Sequence, residues 1–184
     1  MAVYKNIFAG LKQLFSAVQG DKLIKFPDAS GVSGVFVSEV LFNQISGGTT
    51  YTGSVAIPAG ATVLDIQFKS TVLWGGATAA LNLGDSADAD GYFAAIDLKA
   101  TDLLVGEILS TADDGCWGGK NGAYVTAAGR RGTVTPAGNT GNYYGTADSI
   151  IGVITVGTPG TSTAGRSVMT VYWSKAIQTT ATAA

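Results

Sequence analysis

Apolar positions keep two different periods along this chain. In residues 3–19, Ile7, Phe8, Leu11, Leu14, Phe15 and Val18 recur at helical spacing, with Lys5, Lys12 and Gln13 on other faces. The spacing predicts an amphipathic helix that Gly20 is placed to end. Such a helix can pack on its own domain, dock as an arm on a neighbouring subunit, or lie on a membrane surface, though its polar face is not strongly cationic. Residues 21–25 are charged, and Phe26-Pro-Asp-Ala-Ser-Gly-Val-Ser-Gly34 has the composition of a connector. The expected division is therefore a helical arm and connector over 1–33 and a β domain over 34–184.

Beyond Gly34 the period falls to two. Val35, Val37 and Leu41 alternate with Phe36, Ser38 and Val40, and Val55 and Ile57 precede a Pro58-Ala-Gly60 turn. Leu64, Ile66 and Phe68 alternate with Asp65, Gln67 and Lys69, the pattern of a half-buried strand. Further strands are predicted near 71–74, 78–83, 92–97, 103–109, 123–127, 132–135, 149–156 and 167–174. Gly75-Gly76, Asp114-Gly115, Gly118-Gly119, Asn121-Gly122, Pro136-Ala-Gly138 and Thr158-Pro-Gly160 punctuate them. Glycine and asparagine tolerate positive φ and proline fixes it, so these are turns with a mechanism. Many short strands at this spacing predict an antiparallel β-sandwich of jelly-roll type. Residues 138–145 carry Tyr143 and Tyr144 in what the composition predicts to be a long exposed loop.

Composition narrows the function. Charged residues are only 13% of the 184 and apolar residues 46%, an unusual balance for a solvated monomer and a fitting one for surface buried against partners. A net charge of -2 and a pI near 4.9 argue against general nucleic-acid binding. There is no histidine, which removes Ser-His-Asp and Cys-His catalysis and His-ligated zinc. Cys116 is the single cysteine, so no intrachain disulfide and no cysteine-rich metal site can form. No apolar run approaches the roughly 20 residues that span a bilayer. No signal-peptide pattern opens the chain, so the expectation is folding in a cytoplasm.

The strongest chemical candidate is the acidic stretch Leu81–Leu98. With Ser86 opening a twelve-residue calcium loop, Asp88, Asp90, Gly91 and Asp97 fall at its third, fifth, sixth and twelfth positions. Serine replaces the leading carboxylate, a short Asp replaces the bidentate Glu, and the flanks have strand character. Asp88, Asp90 and Asp97 are thus weak ligands, and a solvated Asp turn explains them without a metal. No cofactor is expected. Glu39 and Glu107, the only glutamates, would have to meet each other or an Asp to serve a glycosidase, and nothing in their spacing joins them. Arg130-Arg131 suits a solvated turn or an acidic partner. Trp117, Tyr143 and Tyr144 suit stacking on a sugar or a protein partner.

The run Val72-Leu-Trp-Gly-Gly-Ala-Thr-Ala-Ala-Leu-Asn-Leu-Gly-Asp-Ser-Ala-Asp-Ala-Asp-Gly-Tyr-Phe93 resembles one found in small structural proteins of tailed bacteriophage particles. There, a strand ending in Trp-Gly is followed by a Leu-x-Leu-Gly-Asp strand and an Asp-Gly-Tyr/Phe turn. Val55–Val63 and the closing Val168-Met-Thr-Val-Tyr-Trp173 are similar in style, and the resemblance covers about residues 54–98. It implies a non-enzymatic head decoration (cement) protein of the virion, assembled in the host cytoplasm. It also implies a homotrimer bound to the major capsid protein, with neither nucleic acid nor membrane as partner. The expected contacts are Ile7, Phe8, Leu11, Leu14 and Phe15 of the arm, with Arg130, Arg131, Tyr143 and Tyr144 of the loops. The competing expectation is a carbohydrate- or receptor-binding module of a tail or head fibre.

Overall fold

The computed structural model describes residues 34–99, 101–111, 120–125 and 143–175, and the backbone of 22–25 and 139–140. The helix expected over 3–19, the strand expected over 132–135, Cys116, Trp117 and Arg130-Arg131 lie outside the described residues. The described residues are β-strands and turns. The strands are β1 (Lys22–Lys25), β2 (Gly34–Asn43), β3 (Thr50–Ile57), β4 (Ala61–Val72), β5 (Thr78–Gly84) and β6 (Phe93–Asp97). They continue as β7 (Ile108–Ser110), β8 (Asn139–Thr140), β9 (Tyr143–Tyr144), β10 (Asp148–Gly157) and β11 (Arg166–Lys175).

All pairings are antiparallel. One sheet runs β1-β2-β11-β4-β9-β8, with β7 on β4, and the other runs β3-β10-β5-β6. A single apolar core lies on their inner faces. The larger sheet contributes Phe42, Val63, Ile66, Phe68, Met169 and Val171, and the smaller Val55, Ile57, Leu81, Leu83, Ile150 and Ile154. Alternation along β10 and β11 makes this possible, because every second side chain faces inward. The charged run before Phe26, expected to lead into a connector, instead carries β1 and pairs Lys22–Lys25 with Val37–Gly34.

The expected alternation in β4 holds only in part. Ala61 and Val63 face the core, as do Ile66, Phe68 and Ser70, so the parity changes between the two groups. The partner register explains the change: Trp173 pairs with Val63 and Tyr172 with Asp65, which leaves Leu64 as the extra residue of a β-bulge. Leu64 is consequently exposed rather than in the core. Residues 71–74 are not a separate strand, since β4 runs on to Val72 before Trp74 turns inward. Residues 103–107 and 123–125 are turns instead of strands. Gly106 takes φ 91° in the first, and the Val125 amide donates to the Gly122 carbonyl at 3.1 Å in the second.

Trp74 shows how a polar group enters the core. Its ring is buried, and its Nε1–H donates to Ser167 Oγ at 2.8 Å, which in turn bonds Ser70 Oγ at 3.0 Å. Both serines face inward, and an apolar residue at Ser167 would leave the indole N–H without a partner.

Candidate functional site

Two features could carry function: the acidic stretch singled out by the sequence and the outer face of the larger sheet. The acidic stretch closes inward. Asp85 is 2% exposed. Its Oδ1 accepts the amides of Ala87 at 3.0 Å and Asp88 at 3.1 Å and the Tyr124 hydroxyl at 2.9 Å. Its Oδ2 accepts a long 3.4 Å contact from the Tyr144 hydroxyl, which also bonds the Tyr92 hydroxyl at 2.8 Å. A carboxylate taken out of water needs such donors, and here a turn and tyrosines supply them.

Glycines allow the turn to fold this tightly. A Cβ on Gly84 would lie 1.9 Å from the Asp88 carbonyl oxygen, and one on Gly122 would lie 2.0 Å from the Asp90 carbonyl oxygen. Burial, reinforced by the bond to Asp85, pushes the Tyr124 hydroxyl well above its ordinary pKa. Burial and the neighbouring Tyr92 do the same for Tyr144. These tyrosines stay protonated and act as hydrogen-bond donors, the role a structural clamp requires.

The other aspartates point elsewhere. Asp88 and Asp90 sit at the outer rim of the turn, where the Asp90 amide donates to Asp88 Oδ1 at 3.4 Å. The hydrogen bond to Asp88, with a smaller contribution from burial and from the Asp88 charge, raises the Asp90 pKa. Asp97 pairs with Ala80, toward the end of β5 remote from Gly84, and its Oδ1 accepts the Lys99 amide. Asp97 is the last residue of β6, so extended strand separates it from Asp90 where a calcium loop would wrap. Among the described residues no cluster of three or more Asp, Glu, Cys or His could hold a metal. Glu39 lies on β2 opposite Thr170, and Glu107 accepts the Leu104 amide at 2.8 Å in the turn before β7.

Tyr143 and Tyr144 part company. They form strand β9, pairing with Thr62 and Ala61, so consecutive side chains point to opposite faces. Tyr143 is 38% exposed, whereas Tyr144 is 1% exposed and belongs to the Asp85 clamp. Tyr144 is thus corrected from a surface contact to a core residue. The exposed loop expected over 138–145 instead carries β8 and β9, and two adjacent aromatics in a strand cannot share a face.

The outer face of the larger sheet is polar at its middle and apolar at one end. In the middle, Asp65 accepts hydrogen bonds from Ser110, Thr111 and Gln67 at 2.8, 3.0 and 2.9 Å. Toward the end, one cross-strand row runs Leu41, Val168, Lys69, Ile108. The next row is Asn43, Arg166, Val72. The Gly106 amide donates to the Ser70 carbonyl at 2.9 Å and holds the Leu104–Val105 turn beside it. Leu41 is 62% exposed and Ile108 48%, and Val72, Leu73, Leu104 and Val105 are exposed with them. Composition hinted at such a surface, but the strand register that gathers it is not visible in sequence.

No family model matches the chain, and no curated protein matches it. Among solved structures, a chain described as "Cyanophage Pam1 capsid asymmetric unit" matches at a TM-score of 0.43 and 18% identity, over 82% of this chain and 91% of that one. A likeness of that strength carries no argument about function.

Proposed function

We propose that this protein is a non-enzymatic structural component of a phage virion, a decoration protein that stabilises the head by bridging capsid subunits. The observation that carries this reading is the apolar end of the larger sheet. Leu41, Val72, Leu104, Val105 and Ile108 stand in water in a chain whose core is otherwise well sorted. Exposed apolar residues gathered in one place mark an interaction surface, and burying the exposed half of one such side chain stabilises a complex by roughly 1 kcal/mol. Lys69 and Arg166 sit within the patch and offer charge for orientation. The resemblance over residues 54–98 supplies the partner: a capsid subunit.

The strand order supports a jelly roll as the finer description of the fold. The four-strand sets β2-β11-β4-β7 and β3-β10-β5-β6 face each other. The chain passes between them at nearly every connection, as two nested Greek keys do. Such a unit is rigid, which suits a lattice. The buried carboxylate of the acidic stretch, Asp85, is held by tyrosines and backbone amides, in line with a protein that binds without transforming its partner.

The test is cosedimentation of the purified protein with heads that lack it. Binding by the wild type that Leu41→Asp or Ile108→Asp reduces at least tenfold supports the reading. Equal binding by all three, or none by the wild type, refutes it. A fibre module that recognises sugar retains only Tyr143 as an exposed aromatic among the described residues. A glycan array with a signal that Tyr143→Ala removes would favour that second reading.

A further inference from the structure

We infer that the free edge of β3 is a pairing site for a second copy of this chain, strand against strand. Sheet edges are ordinarily guarded by brevity, charge, bulges or a covering segment. Among the described strands the edges follow that rule except at one place. Lysines begin and end the four-residue β1, and β7, β8 and β9 have two or three residues each. The edge of β6 is covered: the Ala94 amide donates to the Lys120 carbonyl at 2.9 Å, and Phe93 bridges Asn121. By contrast, β3 has eight residues, Thr-Tyr-Thr-Gly-Ser-Val-Ala-Ile, without charge or proline. Among the described strands it pairs with β10 alone.

The register identifies the groups that face outward. The Val156 amide donates to the Thr49 carbonyl at 2.8 Å, so Thr49 and Val156 form a hydrogen-bonded pair. Pairs of this kind alternate along an antiparallel ladder. Tyr51, Gly53 and Val55 therefore bond to β10, and Thr50, Thr52, Ser54 and Ala56 turn their amides and carbonyls to the open edge. The same four residues are the exposed ones of β3.

A second copy meets this pattern without adjustment. Antiparallel pairing about a two-fold axis at Gly53 sets Thr52 against Ser54 of the copy and Thr50 against Ala56. Each outward pair then exchanges two bonds, about eight across the contact. The side chains brought together are small or hydroxylated and uncharged, so neither crowding nor like charge opposes the approach. Gly53, at the axis, faces inward against Val40 and Phe42. The result is one continuous eight-stranded sheet across two subunits. This contact is separate from the apolar end and independent of the virion reading. It also differs from the three-fold association that the resemblance implies.

Native mass spectrometry of the full chain, with hydrogen exchange resolved to single amides, tests it. The expected mass is an even multiple of 18.6 kDa, with the Thr52 and Ser54 amides protected. Thr52→Pro removes one outward amide and leaves the β10 ladder intact. Thr52→Lys adds charge at the contact and covers the case in which the proline variant fails to fold. Either folded variant is expected to halve the mass and to raise exchange at Ser54 at least tenfold. A wild-type monomer or trimer, or a variant that keeps the wild-type mass, overturns the inference. Heads coated by a monomer would overturn this contact and leave the proposed function standing.

Discussion

Tyr124→Phe isolates the clamp on Asp85. Phenylalanine keeps the ring that packs edge-on against Tyr92, with centroids 5.2 Å apart, and removes only the hydroxyl that donates to Asp85 Oδ1 at 2.9 Å. Asp85 retains the Ala87 and Asp88 amides, so its carboxylate is weakened but not abandoned. A hydrogen bond to a charged group contributes about 1.5–3 kcal/mol. For a chain of this length the loss corresponds to a fall in Tm of roughly 3–12 °C. Urea unfolding of the wild type, Tyr124→Phe, Asp85→Ala and the double variant forms the assay. The midpoint should fall at constant m. In the Asp85→Ala background the same tyrosine change should cost under about 0.5 kcal/mol, since the partner is gone. A cost of the same size in both backgrounds, or under about 0.5 kcal/mol in the wild type, would refute the clamp.

Alkaline pH should loosen the same centre. The folded chain holds the Tyr144 and Tyr124 pKa values above the unfolded value near 10, so above that pH the unfolded state sheds protons first. Stability is complete below pH 10 and falls as pH rises, by up to about 1.4 kcal/mol per unit from Tyr144; a flat unfolding free energy from pH 9 to 11 would contradict this. Ser167→Ala should cost about 1–3 kcal/mol by stranding the buried Trp74 N–H, read from chemical unfolding. Gly84→Ala should cost more than about 2 kcal/mol, because its Cβ meets backbone and not a movable side chain. Ala95 holds φ 51° in the bulge where its amide meets Asn82 Oδ1 at 2.8 Å. Ala95→Gly should therefore be neutral or stabilise by up to about 1 kcal/mol, and a thermal melt showing a clear loss would count against strain there.

Much of the β architecture was legible because period-two patterning survives wherever one face is buried. The centres of β2 and β4 were visible on that ground, and β10 and β11 from their apolar, β-branched composition. Bulges defeat the pattern: the extra residue at Leu64 reverses the faces of β4, and no local signal in Val63-Leu-Asp65 announces it. Leu103–Gly106 has strand-like apolar residues but turns, because Leu103 enters the core while Gly106 takes a left-handed conformation. The acidic stretch was expected to be a solvated Asp turn, and it is a turn, but one closed on a buried Asp85. The Asp spacing fits calcium poorly, and nothing local shows that Asp85 is satisfied by tyrosines 39 and 59 residues away in sequence. Such partners become neighbours only through sheet register. The same holds for Leu41 and Ile108, whose shared surface depends on two intervening strands.

Cryo-electron microscopy of intact particles tests the central claim most directly. The account predicts density for this two-sheet unit on the head, with the Leu41–Ile108 end of the larger sheet seated against capsid subunits. Density for the chain only in the tail, or on the head with that apolar end facing solvent, would contradict it.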